Sequence, residues 1–479
     1  MAAIVARVKP GTRAEVAPNR GARLEPSAVT RSYCLAAFCL LTISLLASGA
    51  SAQITQPLMP LLPNPSLITA PTAPAGAPRQ TAPGETVVSR ARPEYDPTGL
   101  RFGDFFWYPR AEIDEGYNSN IFATTTGPTY DLITNVLPSF DLLSIFPRSS
   151  LNLHANAWQQ IYADHPAQNT QDGTIAVDGT LAVSGGSSLF GNAQVAHQHI
   201  SYGSPNSPGN IAQPVTYWSY IARGGYQQTG RRFTYGVDAG ISAAQYNAAP
   251  LVGGGVSPQS TQDASVPDLA INAGYEIVPD YIGYVRVDGA LYDYWHTLPG
   301  GGTRPNSRVY RVDVGLQIAP RHLIYGQVYA GYLVQDFTAS SLGSTSNPDF
   351  GGRLIWNVTP LTTFTFGGLR TFNTGNTSTG VNGAIGPTGS GYLTTTVAAN
   401  ADHELRRDVL LNVNASYEND SFQGVSRTDN VYTAGAGFRY LVNRNLFLGG
   451  FYSYQQRSSS IAGLSFTQNL LTLRVGTQF

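Results

Sequence analysis

The chain has 479 residues, of which only 12% are charged and 51 are glycine, and its formal net charge is −1. So few charges exclude the solvated helical surface of an ordinary soluble protein of this length, which would hold two or three domains. Lys9 is the only lysine and no basic patch occurs, so nucleic acid is excluded as a partner.

Residues 1–52 read as an export signal. The apolar run CLAAFCLLTISLLA (34–47) follows Arg31 and precedes Ala50-x-Ala52, and at 14 residues it is too short to cross a bilayer as a helix. Cleavage is expected before Gln53. The first 31 residues carry six basic and two acidic residues, a leader long enough that the true start codon is expected downstream. N-terminal sequencing settles both points. Without residues 1–52 the chain keeps 23 basic and 28 acidic residues, a formal charge of −5, and neither Cys34 nor Cys39. The mature protein is therefore expected to be exported, free of disulfides and, with no cysteine at the cleavage point, not lipid-anchored.

Residues 53–98 open QITQPLMPLLPNPSLITAPTAPAGAPRQTAPGETVVSRARPEY, with prolines every few residues and no apolar period of either kind. Proline removes backbone donors and holds the chain extended, so this stretch reads as a disordered periplasmic linker.

From residue 99 to 479 the texture changes to alternating apolar and polar segments with no helical period. Compact turns are signalled at Val278-Pro279-Asp280-Tyr281, Ala319-Pro320-Arg321-His322, Thr359-Pro360-Leu361-Thr362 and Val442-Asn443-Arg444-Asn445. Weaker signals are Phe146-Pro147-Arg148, Gly185-Gly186, Thr229-Gly230 and Arg406-Arg407-Asp408. Between them lie long polar stretches such as 247–265, 296–307, 336–350 and 373–390. Short turns on one side and long loops on the other mark a membrane barrel. Eight short turns, with a leading strand at 103–116 and a final one at 464–479, give 18 strands, or 16 if one hairpin is misassigned. The fold class is thus all-β, a transmembrane antiparallel up-and-down β-barrel. A β-propeller, which would make the chain a soluble periplasmic binding protein, is the competing architecture, because the turns recur about every 40 residues.

The faces of the segments agree with the barrel. Arg286 and Asp288 oppose Val285, Val287 and Leu291; Arg311 and Asp313 oppose Tyr310, Val312 and Val314; Arg353 opposes Leu354 and Trp356; Arg439 opposes Phe438 and Tyr440. An arginine on the lipid face near the midplane costs about 2–4 kcal/mol, so such segregation is what a membrane barrel needs. Trp107, Tyr108, Trp218, Tyr220, Tyr294 and Trp295 are expected in the interfacial girdles. Eighteen strands leave a wet lumen. Its expected lining is Arg286, Asp288, Arg311, Asp313, Arg353, Arg439 and Arg474.

Two stretches carry resemblances. The terminal LLTLRVGTQF (470–479) places Leu471, Leu473, Val475 and Phe479 on one face, and it resembles the C-terminal signal by which the outer-membrane assembly machinery receives Gram-negative barrels. Phe479 would be its key residue. Tyr117-Asn118-Ser119-Asn120-Ile121-Phe122, followed by Asp131-Leu132-Ile133 and Pro138, resembles the opening of the putative β-barrel porin 2 family, where an acidic residue usually stands in place of Asn118. This resemblance covers roughly residues 100–479. It implies an outer-membrane barrel set among lipid and lipopolysaccharide, and an association of some members with exopolysaccharide loci. It carries over no functional residue.

No enzyme is expected. The histidines, His154, His165, His197, His199, His296, His322 and His403, show no nucleophile or metal spacing beyond His197 and His199 at i, i+2. No cofactor or metal is expected, and the glycine triplets at 253–255 and 300–302 precede no helix. The expected function is a porin-like channel passing small hydrophilic solutes, with weak ion selectivity because its charges are mixed. The alternative is polysaccharide export or uptake, with inward Tyr284, Tyr325 and Tyr329 stacking on sugars.

Overall fold

The structure, a computed structural model, describes residues 84–297, 304–340, 343–373, 391–423 and 425–479. The signal peptide, the linker up to residue 83 and most of the 373–390 loop lie outside the described residues. Eighteen long strands follow in chain order. They are β1 (Phe105–Asn118), β2 (Asp131–Ser144), β3 (Ser149–Tyr162), β4 (Thr170–Ala182), β5 (Ser187–Ile200) and β6 (Val215–Thr229). Next come β7 (Phe233–Tyr246), β8 (Ala264–Val278), β9 (Tyr281–Tyr294), β10 (Ser307–Ile318), β11 (Ile324–Phe337) and β12 (Ser344–Thr359). The ring is completed by β13 (Thr362–Asn373), β14 (Gly391–Arg406), β15 (Val409–Gln423), β16 (Thr428–Leu441), β17 (Leu446–Ser459) and β18 (Phe466–Gln478).

Each strand pairs antiparallel with its sequence neighbours, and β1 pairs with β18 from Arg110↔Gln478 to Asn118↔Leu470. The ring is closed, so every strand has two partners and no backbone edge faces lipid. A short strand, Leu100–Phe102, folds back on β1. The propeller is overturned: there are no blades, only one continuous ring. The first and last strands begin two residues later than the alternation suggests.

All eight short connections fall where the sequence signals them, seven at proline, asparagine or glycine and one at Arg406-Arg407-Asp408. Asp280 takes φ 71° in the tight β8–β9 turn, and Gly185 and Gly186 take 53° and 86° between β4 and β5. Those left-handed angles match the twist of a hairpin. Three register shifts, at Glu276/Val278, Asn357/Thr359 and Glu404/Arg406, sit beside short turns. Such bulges re-aim side chains at a barrel rim.

Outward positions are the exposed apolar ones, among them Ile113, Val136, Ile175, Ile241, Ile271, Val287, Val312, Val413 and Leu473. Aromatic belts flank them. Phe233 and Tyr275 (ring centroids 4.9 Å apart) and Trp356 and Phe364 (6.0 Å) lie near the short turns, and Tyr417 and Tyr432 (5.2 Å) near the loops. Of the expected girdle, Trp218 and Tyr220 face outward. Tyr108 and Tyr294 do not. Tyr294 packs in an apolar cluster inside the ring, and Tyr108 lines the lumen, because each shares the parity of inward residues on its strand.

Candidate functional site in the barrel lumen

The inner surface divides into two halves. On β6–β11 the loop ends of the strands carry apolar residues on the inward face: Tyr217, Tyr246, Val266, Tyr292, Val309 and Leu333. Two loops fold onto them. Residues 201–214 and 247–263 contribute Ile211, Ala249 and Leu251 to this cluster. The loops are stitched together by Ala212 N–H to the Pro250 carbonyl (2.8 Å) and Val252 N–H to the Asn210 carbonyl (3.0 Å). The first loop reaches β17, where Arg457 Nη1 donates to the Gly203 carbonyl at 2.9 Å. It therefore crosses beneath the loop-side opening, and the buried apolar contacts hold it there.

Nearer the middle of the same wall runs a ladder of charges. Arg223 on β6 joins Asp238 on β7 and Asp268 on β8 (2.6 Å). Arg286 on β9 meets Asp238 at 3.2 Å and Asp288 at 3.8 Å. Arg311 on β10 reaches Asp288 at 3.9 Å and Asp349 on β12 at 3.0 Å. These side chains are nearly buried, and Asp313 beside them is wholly so. Gly331 faces Asp313 because any Cβ there would collide with its carboxylate. Of these arginines, Arg286 and Arg311 are expected from the sequence and Arg223 is not. Their partners Asp238, Asp268 and Asp349 were missed, although each shares the inward parity of its strand.

The other half is open. A cavity of about 2720 Å³ is lined from β11 through β18 and β1 to β6, and none of its described lining comes from β7–β10. It extends from the short turns at residues 144–150 and 182–188 to loop residues 201–205. Of the seven expected lining residues, Arg353, Arg439 and Arg474 border this cavity. Arg286, Asp288, Arg311 and Asp313 face inward but belong to the paired ladder.

Arg474 is neutralised by a bidentate pair with Asp114 (2.7 Å for both bonds) and by Glu112 at 2.6 Å. Glu112 also holds Arg110. By contrast, Arg353 and Arg439 have no carboxylate partner among the described residues. Arg439 lies over the Phe447 ring, 4.0 Å from its centroid, and approaches Gln478 Oε1 at 3.4 Å. Between these two arginines the wall is polar but largely uncharged. Asn412 Nδ2 donates to Asn400 Oδ1 and Asp402 Oδ1, both at 2.7 Å, and Asn414 Nδ2 donates to Asn412 Oδ1 at 3.1 Å.

The three tyrosines point inward, and of them Tyr329 alone borders the cavity. Tyr284 and Tyr329 lie flat over Gly315 and Gly351, where a Cβ would strike the rings. Tyr325 is spent on a hydrogen bond from its hydroxyl to the Gly84 carbonyl at 2.7 Å. Trp158, at 37% exposure, borders the cavity, as do Tyr95, Phe106, Tyr108, Tyr202 and Tyr329. His199 is held by Asp172 (2.7 Å) and His197 by the Gln171 carbonyl (2.7 Å). Among the described residues no group of three or more metal-ligating side chains occurs. Phe479 lies exposed at the short-turn rim, with its N–H donating to the Pro109 carbonyl at 3.1 Å.

No curated protein matches the sequence. Among solved structures, a BenF-like porin from Pseudomonas fluorescens Pf-5 is 12% identical with a TM-score of 0.40, the match covering 79% of this chain and 100% of that one. The outer membrane protein OpdK from Pseudomonas aeruginosa is 11% identical with a TM-score of 0.40, covering 78% and 99%. The ferric citrate transporter FecA is 11% identical with a TM-score of 0.39, covering 75% and 60%. The family model described as Putative beta-barrel porin 2 matches residues 92–479. The chain therefore belongs to the Putative beta-barrel porin 2 family and is a porin-like β-barrel of the outer membrane.

Proposed function

We propose that the barrel passes small hydrophilic solutes by diffusion, as a conduit and not as a catalyst, with a weak preference for anions. The observation that carries this reading is the cavity running the height of the open half, from the short turns to the inner side of the 201–214 loop. The anion preference rests on Arg353 and Arg439, two lining guanidiniums without a carboxylate partner among the described residues, since a charge facing a pore biases the ions that enter it. Polysaccharide traffic is less well supported, because Tyr284 and Tyr325 do not border the cavity and Tyr329 lies over Gly351. Lipopolysaccharide around the loop rim and the assembly machinery acting on Phe479 complete the proposal as its partners. Reconstitution in a planar bilayer under a salt gradient tests it. Open steps with a reversal potential favouring anions are expected; a folded barrel that passes no current, with or without residues 84–96, would overturn it.

A further inference from the structure

The described end of the proline-rich segment does not hang free below the barrel. It lies along the inner rim of the short-turn mouth. Gly84 abuts Pro320 in the β10–β11 turn. Asn357 Nδ2 donates to the Glu85 carbonyl at 2.9 Å, and Val87 N–H donates to Thr363 Oγ1 at 3.0 Å. Arg92 then forms a 2.6 Å ion pair with Glu404, and Arg90 approaches the same carboxylate at 3.5 Å. Gln478 Nε2 donates to the Tyr95 carbonyl at 3.2 Å before the chain turns into β1. The path thus follows β11, β12, β13 and β14 and ends at β18 and β1, touching inward side chains at each stop.

We propose that residues 84–98 are an inner collar that sets the size limit of the channel at its short-turn mouth, with Arg92–Glu404 as the anchor. The proposal rests on the channel reading. A segment that only tethered the first strand would have no reason to line the passage, yet Thr86, Val88, Ser89 and Asp96 border the cavity, and Val88 is 43% exposed. A chain laid over a sheet face takes roughly 10 Å from the bore. The collar has no apolar period of its own, so the wall must hold it, and it does so at its centre with charge. The Arg92 and Glu404 side chains are 3% and 2% exposed, so removing Glu404 would leave the buried Arg92 without its carboxylate, and removing Arg92 would leave Glu404 only the 3.5 Å approach of Arg90. The Glu404/Arg406 bulge lies at the foot of β14, where such an irregularity turns a side chain toward the mouth.

The test measures single-channel conductance and the largest permeant oligosaccharide for four proteins. These are the full mature chain, a deletion of residues 84–96, Val88→Trp, and the oxidised Val87→Cys/Thr363→Cys pair. Heat-modifiable migration on a gel verifies that each has folded. The collar predicts that the deletion raises conductance and shifts the cut-off to larger sugars, that Val88→Trp lowers both, and that the cross-link leaves both as in the wild type. A closed wild type with a conducting deletion would support a collar that shuts the mouth completely. Wild-type values in both the deletion and Val88→Trp would overturn the collar while sparing the channel. If the deletion does not fold, unchanged values in Val88→Trp would overturn it alone. Folded but silent wild-type and deletion proteins would remove the channel and the collar together.

Discussion

The two halves of the barrel solve the same problem in opposite ways. Both present charged residues to the inside of a ring too wide to be filled by its own side chains. On β6–β11, loops 201–214 and 247–263 fill the space, and the charges beneath them are matched: Arg223, Arg286 and Arg311 against Asp238, Asp268, Asp288 and Asp349. On the β12–β18 side the space stays open, and Arg353 and Arg439 stand without acids. A charge that is buried must be paired, whereas one that faces water need not be. The ladder is therefore expected to serve stability, and on the proposed channel reading the lone arginines act on the solute.

Substitutions should separate the halves. The largest effect is expected from Asp238→Ala, which strips Arg223 and Arg286 of a shared partner and should cost about 3–5 kcal/mol. Urea unfolding in detergent would measure the loss, and the ion selectivity of the folded fraction should be unchanged. Next, Val287→Arg places a cation on the lipid face of β9 near mid-strand and should cost about 2–4 kcal/mol. The inward neighbour Arg286 carries the same charge in the native chain, so the pair of measurements isolates the face. Arg353→Glu and Arg439→Glu should each cost less than about 1 kcal/mol, as open-lumen charges do, while the reversal potential moves toward cations. Equal loss of stability in these variants and in Asp238→Ala would erase the distinction between the halves.

The smallest expected effect concerns the collar. Burial raises the Asp96 carboxyl above its ordinary value, against the lowering influence of the Arg92 N–H and charge, with Glu94 raising it and Arg407 lowering it. A docked collar therefore holds that proton more tightly than a released one. Its contribution to docking is complete below the ordinary value of 3.8 and is lost as pH rises through the raised one. Hydrogen exchange of the Val87 amide should slow modestly on acidification from neutral pH, and Asp96→Asn should flatten this dependence.

Much of the ring was legible because its turns are chemical. Pro279, Pro320, Pro360 and Asn443 fix dihedrals locally, so hairpins could be placed without knowledge of the partner strands. Parity was legible as well, and carrying it through would have placed Tyr294 inside with Tyr284, and Tyr108 with Arg110. The filled half also left a trace, since Tyr217, Tyr246, Val309 and Leu333 are apolar residues on what should be a wet face. What no local pattern could show is that loop 201–214 crosses to Arg457, or that Arg92 meets Glu404 from 312 residues away. Those contacts depend on closure of the ring, which brings together residues with no period in common.

The central claim is that the open half conducts. The most direct measurement is the single-channel current of residues 53–479, refolded in detergent and reconstituted in a planar bilayer. Stable open steps that shift toward cation selectivity in Arg353→Glu and Arg439→Glu are the predicted result. A folded, heat-modifiable barrel with no current, in the presence or absence of the collar, would contradict it.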